Sequence, residues 1–148
     1  MTALVPMNTQ HIDALMPYEK NMFGTEAWSR TTYRSEILDA ANRYYIAAED
    51  EDGSLLGWAG LLTVGETAEV LTVGVIPLAR RRGIGQQLLD SLLAEARRRR
   101  AAEVFLEVRV DNVAAINLYR RNDFVDVRVR RGYYGRGRVD GLEMRLGL

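Results

Sequence analysis

The segment from Thr67 to Arg100 constrains the fold more than any other part of the chain. A run rich in β-branched residues, 67–76, passes through Pro77 into Arg80-Arg81-Arg82-Gly83-Ile84-Gly85. A helical pattern follows at once, with Ile84, Leu88, Leu89, Leu92, Leu93 and Ala96 on one stripe. A strand that feeds directly into an amphipathic helix must lay that helix across a sheet, because the apolar stripe needs a partner surface. The spacing predicts a helix over 83–100 and makes Arg97 to Arg100 a solvated end at the negative pole of its dipole.

The turn has chemical content of its own. A helix N-terminus exposes unpaired N–H groups and a partial positive charge. Glycine lets an anion come close to the backbone, and three flanking arginines add charge. These features suit a pyrophosphate, although a tight turn under a surface arginine cluster fits the same residues. The G-x-x-x-x-G-K-[ST] pattern of a P-loop is absent. So are the three spaced glycines of a dinucleotide fingerprint, so ATP and NAD are poor ligands here.

The remaining pattern is mixed. Residues 3–7 read as a strand, and Asn8 or Thr9 caps a helix to about Asn21. Ser29 caps a second helix carrying Tyr33, Ile37 and Leu38. Residues 43–49 and 54–63 form a strand pair around Asp52-Gly53. Residues 103–110 alternate strictly, with Phe105, Glu107 and Arg109 on one face. A helix from Asn112 to about Asn122 precedes strands 124–131 and 139–147. The order predicts an α/β (α+β) fold with a mixed sheet of about seven strands and helices on both faces. The length, 148 residues, favours one domain over 1–148.

Composition removes whole classes of chemistry. There is no cysteine and a single histidine, His11. Disulfides, thiolate metal sites, a cysteine nucleophile and a histidine-rich metal cluster are excluded. No apolar run approaches a membrane span, and the N-terminal residues lack the charged and apolar regions of a signal peptide, so a cytoplasmic location is expected. Residues 1–79 carry 4 basic and 11 acidic side chains (−7), and residues 80–148 carry 16 and 9 (+7). The basic half begins at Arg80, which points to an anionic ligand there. Basic runs without interleaved aromatics argue against nucleic acid.

Arg80-x-x-Gly83-x-Gly85 resembles the [QR]-x-x-G-x-[GA] signature of the GNAT superfamily. Leu106-Glu107-Val108-Arg109, Asn112, Ala114-Ala115-Ile116, Leu118-Tyr119 and Phe124 are similar to the longer block of its RimI family, as are Trp28-Ser29 and residues 130–134. Members of that family acetylate the N-terminal alanine of a small-subunit ribosomal protein. The resemblance implies acetyl-CoA as co-substrate, no metal, and a protein N-terminus as acceptor. It implies a splay between the fourth and fifth strands, where Val73, Gly74 and Val75 pair with the pantetheine arm and Gly74 allows close approach. It implies that backbone groups of Arg81, Arg82, Gly83, Ile84, Gly85 and Gln86 hold the phosphates, with Asn112 and Ala115 beside the cofactor.

The same resemblance makes Glu107 the general base and Tyr119 the general acid. A carboxylate near the end of an apolar strand is costly unless solvated, paired or useful, and Arg109 on the same face offers a salt bridge. Asn112, Ala115, Ile116 and Tyr119 share one helix face, where Asn112 also serves as an N-cap and Tyr119 as a core residue. Two positions depart from the family pattern, Asp123 for a glycine and Thr72 for an asparagine. Tyr133 and Tyr134 are expected at the peptide cleft or in packing, and His11 on the surface or in packing. Glu26, Glu66 and Glu69 read first as solvated charges, although each suits a cationic N-terminus. A lysine or small-molecule amine acceptor, or a non-catalytic acyl-CoA sensor, stays open beside the N-terminal reading, for a monomer or weak homodimer.

Overall fold

A computed structural model describes residues 2–39 and 41–148. Its strands are β1 (Ala3–Pro6), β2 (Arg43–Glu49), β3 (Leu55–Val64), β4 (Thr67–Val75), β5 (Glu103–Arg109), β6 (Val125–Tyr134) and β7 (Val139–Gly147). Its helices are α1 (Thr9–Phe23), α2 (Arg30–Leu38), α3 (Ile84–Arg98) and α4 (Val113–Arg121). One sheet contains all seven strands in the order β1-β2-β3-β4-β5-β7-β6.

Local chemistry explains the helix starts. Asn8 caps α1, accepting from the N–H groups of Gln10 and His11, while His11 Nδ1 accepts from the Asn8 N–H at 3.0 Å. Ser29 caps α2 through the Thr32 N–H at 3.1 Å. His11 is buried and pairs with Glu49 at 2.6 Å, so it packs.

Alternation along the strands puts the helices on both faces. Tyr44 reaches Ser91 of α3 at 3.0 Å, and its neighbour Tyr45 reaches Glu36 of α2 at 2.6 Å. Trp58 Nε1 donates to the Tyr33 hydroxyl of α2, while a Cβ at the adjacent Gly57 would meet Ile84 and Leu88 of α3. Gln86 of α3 and Asn122 at the end of α4 exchange amide hydrogen bonds, which sets α4 beside the first turn of α3. The α3 stripe is fully buried on the sheet.

The splay is a matter of register. β4 and β5 are parallel and pair only at Thr67–Glu103, Ala68–Val104 and Glu69–Phe105. Beyond Glu69, β4 stays with β3 and β5 stays with β7. A bulge at Leu71 lies just past that point: Leu61 faces Val70 and Gly60 faces Thr72. Bulges bend a strand and sharpen its twist, so β4 turns away from β5.

Three expectations need correcting. The end of α3 is not simply solvated: Arg98 and Arg99 both bind Glu95, and Arg99 also donates to Thr63 Oγ1 at 3.0 Å. A long guanidinium stem lying along the sheet buries its methylenes and keeps its donors satisfied. β6 extends through Tyr134, three residues past the expected end at 131, because bulges near Val127 and after Arg130 break the period-2 pattern. Phe124 lies outside the strand. It follows the left-handed Asp123 (φ 71°) and turns its ring onto Tyr119, 5.7 Å away.

Candidate active site

The separation of β4 from β5 opens a cleft of about 300 Å³. Val70 to Val73 line one wall and Leu106 to Arg109 the other. Phe105, Glu107 and Arg109 share the sheet face of α1 and α2, since Arg109 contacts Glu26 of the α1–α2 turn. Tyr119 comes from α4, on the face of α3. Both Glu107 and Tyr119 line the cleft, because the gap passes through the sheet. Strands in full register would leave them on opposite sides of a closed layer.

Glu107 does not pair with Arg109, whose guanidinium is taken by Glu26 (3.0 Å) and Asp111 (2.9 Å). Its neighbours are Arg130 and Tyr133. Arg130 Nε lies 3.5 Å from Glu107 Oε2, beyond hydrogen-bonding length, and both buried atoms lack a hydrogen-bond partner among the described residues. Partial burial, and then the nearby Glu107 carboxylate, raise the Tyr133 phenol above its ordinary pKa. Glu69, at the last β4–β5 pair, is raised by burial and by the charge of Glu107. Glu69 is exposed, as expected of a solvated charge, but feels the charge of Glu107, whereas Glu26 is bonded to Arg109 and to the Gly135 N–H. Glu66 is exposed and stays a solvated charge.

Tyr119 is buried, and burial pushes its phenol up to about 12, so it holds its proton at neutral pH. Its position is fixed at the end of α4. The Phe124 N–H returns to the Tyr119 carbonyl and the Asp123 N–H to the Arg120 carbonyl, each at 3.1 Å. This Schellman pattern needs a left-handed residue, and Asp123 supplies it where the family pattern has glycine. Asn112 caps α4 through the Ala115 N–H at 3.2 Å, and both residues line the cleft.

The turn before α3 leaves backbone donors open. Gly83 (φ 78°) caps α3 without a side-chain bond, and Arg81 is also left-handed (φ 64°). The first helical return is Gln87 N–H to Gly83 O, so the N–H groups of Ile84, Gly85 and Gln86 have no acceptor within the helix. Nothing lies within 4 Å of the position a Cβ would take on Gly83. None of the salt bridges among the described residues involves Arg80, Arg81 or Arg82, and all three are exposed. Left-handed turns and open N–H groups make an anion nest that fits a diphosphate. The Gln86 side chain is occupied with Asp90 and Asn122, leaving its backbone for the ligand.

Gly74 has a packing reason of its own. A Cβ there would sit 2.5 Å from Trp58, so glycine is required by the indole behind β4. The free edge of β4 past Glu69 is what an extended pantetheine arm would pair with.

Sequence reasoning passed over Glu19. It is buried and lines the cleft, accepting from the Trp28 N–H at 3.0 Å and from the Tyr33 hydroxyl. Burial raises its pKa. The signal was present: Glu19 follows Ile12, Leu15 and Met16 at i, i+3, i+4, i+7, a carboxylate on an apolar stripe.

The acetyltransferase (GNAT) family profile matches residues 10–124. The chain belongs to the GNAT acetyltransferase family. It is 40% identical over 126 residues to the N-alpha-acetyltransferase RimI of Mycobacterium tuberculosis, covering 82% of this chain and 77% of that protein. It is 34% identical over 121 residues to the [ribosomal protein bS18]-alanine N-acetyltransferase of Escherichia coli, with 80% of each covered. A crystal structure of the ribosomal-protein-S18-alanine N-acetyltransferase from Escherichia coli superposes with a TM-score of 0.85 at 28% identity, covering 99% of this chain and 94% of that one. The RimI likeness of the 106–124 block is thus matched by relatives across most of the chain. This GNAT protein is an acetyl-CoA-dependent N-acetyltransferase. Among its described residues, no helix is long and apolar enough to cross a membrane.

Proposed function

We propose that this enzyme acetylates the N-terminal α-amine of a protein, with a small-subunit ribosomal protein beginning with alanine as its natural acceptor. The observation that carries the mechanism is the entry of Glu107 and Tyr119 into one gap from opposite sheet faces. Acetyl-CoA supplies a thioester carbonyl for attack. An α-ammonium group has a pKa near 8, so it must lose a proton first. Glu107 takes that proton, directly or through water, and the nitrogen forms its bond to the carbonyl carbon. The carbon–sulfur bond breaks, Tyr119 gives its phenolic proton to the sulfur, and the second proton shed by the new amide nitrogen returns to the phenolate through water. No cysteine is present to carry the acetyl group, which supports direct transfer. The nest at 81–86 holds the diphosphate, with Asn112 and Ala115 beside the arm.

Support for the protein acceptor comes from the names of the relatives and from the acidic cleft. Glu19, Glu69 and Glu107 line it, and its Arg109 is neutralised by Glu26 and Asp111. Such a lining favours a cationic N-terminus. A ribosomal-protein acceptor also places the enzyme in the cytoplasm.

The test is mass spectrometry of two peptides incubated with enzyme and acetyl-CoA. One begins with alanine and lacks lysine; the other is N-terminally blocked and contains lysine. One acetyl group on the first alone is the expected result. Modification of the second alone moves the acceptor to a lysine ε-amine. Modification of neither, with acetyl-CoA still bound, leaves a small-molecule amine or a sensor role.

A further inference from the structure

Three parts of the chain distant in sequence meet at the mouth of the cleft, and one side chain joins them. Glu26 lies in the short turn between α1 and α2. Its Oε2 accepts from Arg109 Nη1, at the tip of β5, at 3.0 Å. Its Oε1 accepts from the Gly135 N–H, in the β6–β7 turn, at 2.5 Å. Arg109 is itself aimed by Asp111, which takes its Nε and Nη2 at 3.0 and 2.9 Å. The β6–β7 turn is intrinsically soft: Gly132, Gly135 and Gly137 all have positive φ, as does Arg136. Inside the hairpin, Asp140 holds the Gly132 N–H at 2.9 Å; from outside it, Glu26 holds Gly135.

Tyr133 and Tyr134 enter this turn and line the cleft. Tyr133 lines the cleft with Glu107 and lies under Arg130, whose guanidinium carbon is 5.4 Å from the ring centroid. A shift of the turn therefore moves the immediate neighbours of Glu107.

We propose that Glu26 is a positioning residue for the acceptor: its two-handed carboxylate latches the α1–α2 turn and the β6–β7 turn to the tip of β5 and holds Tyr133 and Tyr134 beside Glu107. It acts through those tyrosines and does not touch the reacting atoms. The cleft's role as an acceptor site rests on the function proposed above. Bonds to a charged partner are the stronger kind, so their loss is felt.

The test compares Glu26→Ala and Glu26→Gln with wild type, and uses Arg109→Gln to release the latch from its other end. Gln keeps an acceptor for the Gly135 N–H but gives up the charge facing Arg109. Two readouts are needed. Amide hydrogen exchange over 132–138 should quicken in Glu26→Ala, and less so in Glu26→Gln. KM for a free-N-terminus peptide should rise about tenfold in Glu26→Ala, with a smaller rise in Glu26→Gln and in Arg109→Gln and an unchanged Kd for acetyl-CoA. Unchanged exchange in Glu26→Ala overturns the latch. So does faster exchange with a wild-type peptide KM and kcat. Because exchange needs no acceptor, lost protection supports the latch even if no peptide is acetylated, a result that would sink the acceptor assignment alone.

Discussion

At the scale of single residues, the two groups of the proposed acid–base mechanism have different surroundings. Glu107 keeps one buried oxygen without a hydrogen-bond partner among the described residues, with Arg130 Nε 3.5 Å away. Tyr119 is packed against Phe124 and keeps its proton. Tyr119→Phe is expected to lower kcat by about 10²–10⁴ and to leave acetyl-CoA affinity intact, measured by steady-state kinetics and titration. The same substitution has a second signature. A phenol raised to about 12 stabilises the fold fully below its unfolded pKa near 10, and that contribution is lost as pH rises toward 12. The Phe variant should therefore lose less stability than wild type over that alkaline range. Glu107 and Tyr119 were legible only through the family block, since alternation and helical spacing placed them on the right faces without a reaction. Glu26 was misread because its partners lie 83 and 109 residues away. No local spacing encodes such a contact.

At the scale of elements, helix ends decide where the chemistry sits. The start of α3 presents open N–H groups, and the end of α4 locks Tyr119. Both ends depend on left-handed residues: Gly83 suits the conformation, whereas Asp123 pays a steric cost for it. Asp123→Gly should stabilise the protein by about 1 kcal/mol, read as a higher denaturant midpoint at constant slope, with acetyl transfer retained. A lower midpoint would mean that the Asp123 side chain contributes more than its backbone strain removes. The helices were readable because 3.6-residue stripes and caps are local signals; α1 ends at Phe23, two residues past the expected Asn21. The bulges in β4 and β6 were not readable. An extra residue in one strand is defined only against its partner's register, which a single sequence does not show.

At the scale of the whole molecule, the sheet is two half-sheets held together by three residue pairs between β4 and β5. The acidic first half supplies α1, α2 and the strand edge at β4, and the basic second half supplies the anion nest, Glu107 and Tyr119. The seven-stranded mixed architecture followed from the order of elements, whereas the position of the splay came from the family resemblance alone. The proposed chemistry sits in that break, where groups from opposite faces meet. The most direct measurement is the single-turnover rate of acetyl transfer to a free-N-terminus peptide, by wild type and Glu107→Gln, from neutral to alkaline pH. The variant should be slower by about 10²–10⁴ near neutral pH, with unchanged acetyl-CoA affinity. The deficit should shrink above about pH 8, where the α-amine sheds its own proton. Equal rates at neutral pH would contradict the assignment of Glu107 as the base.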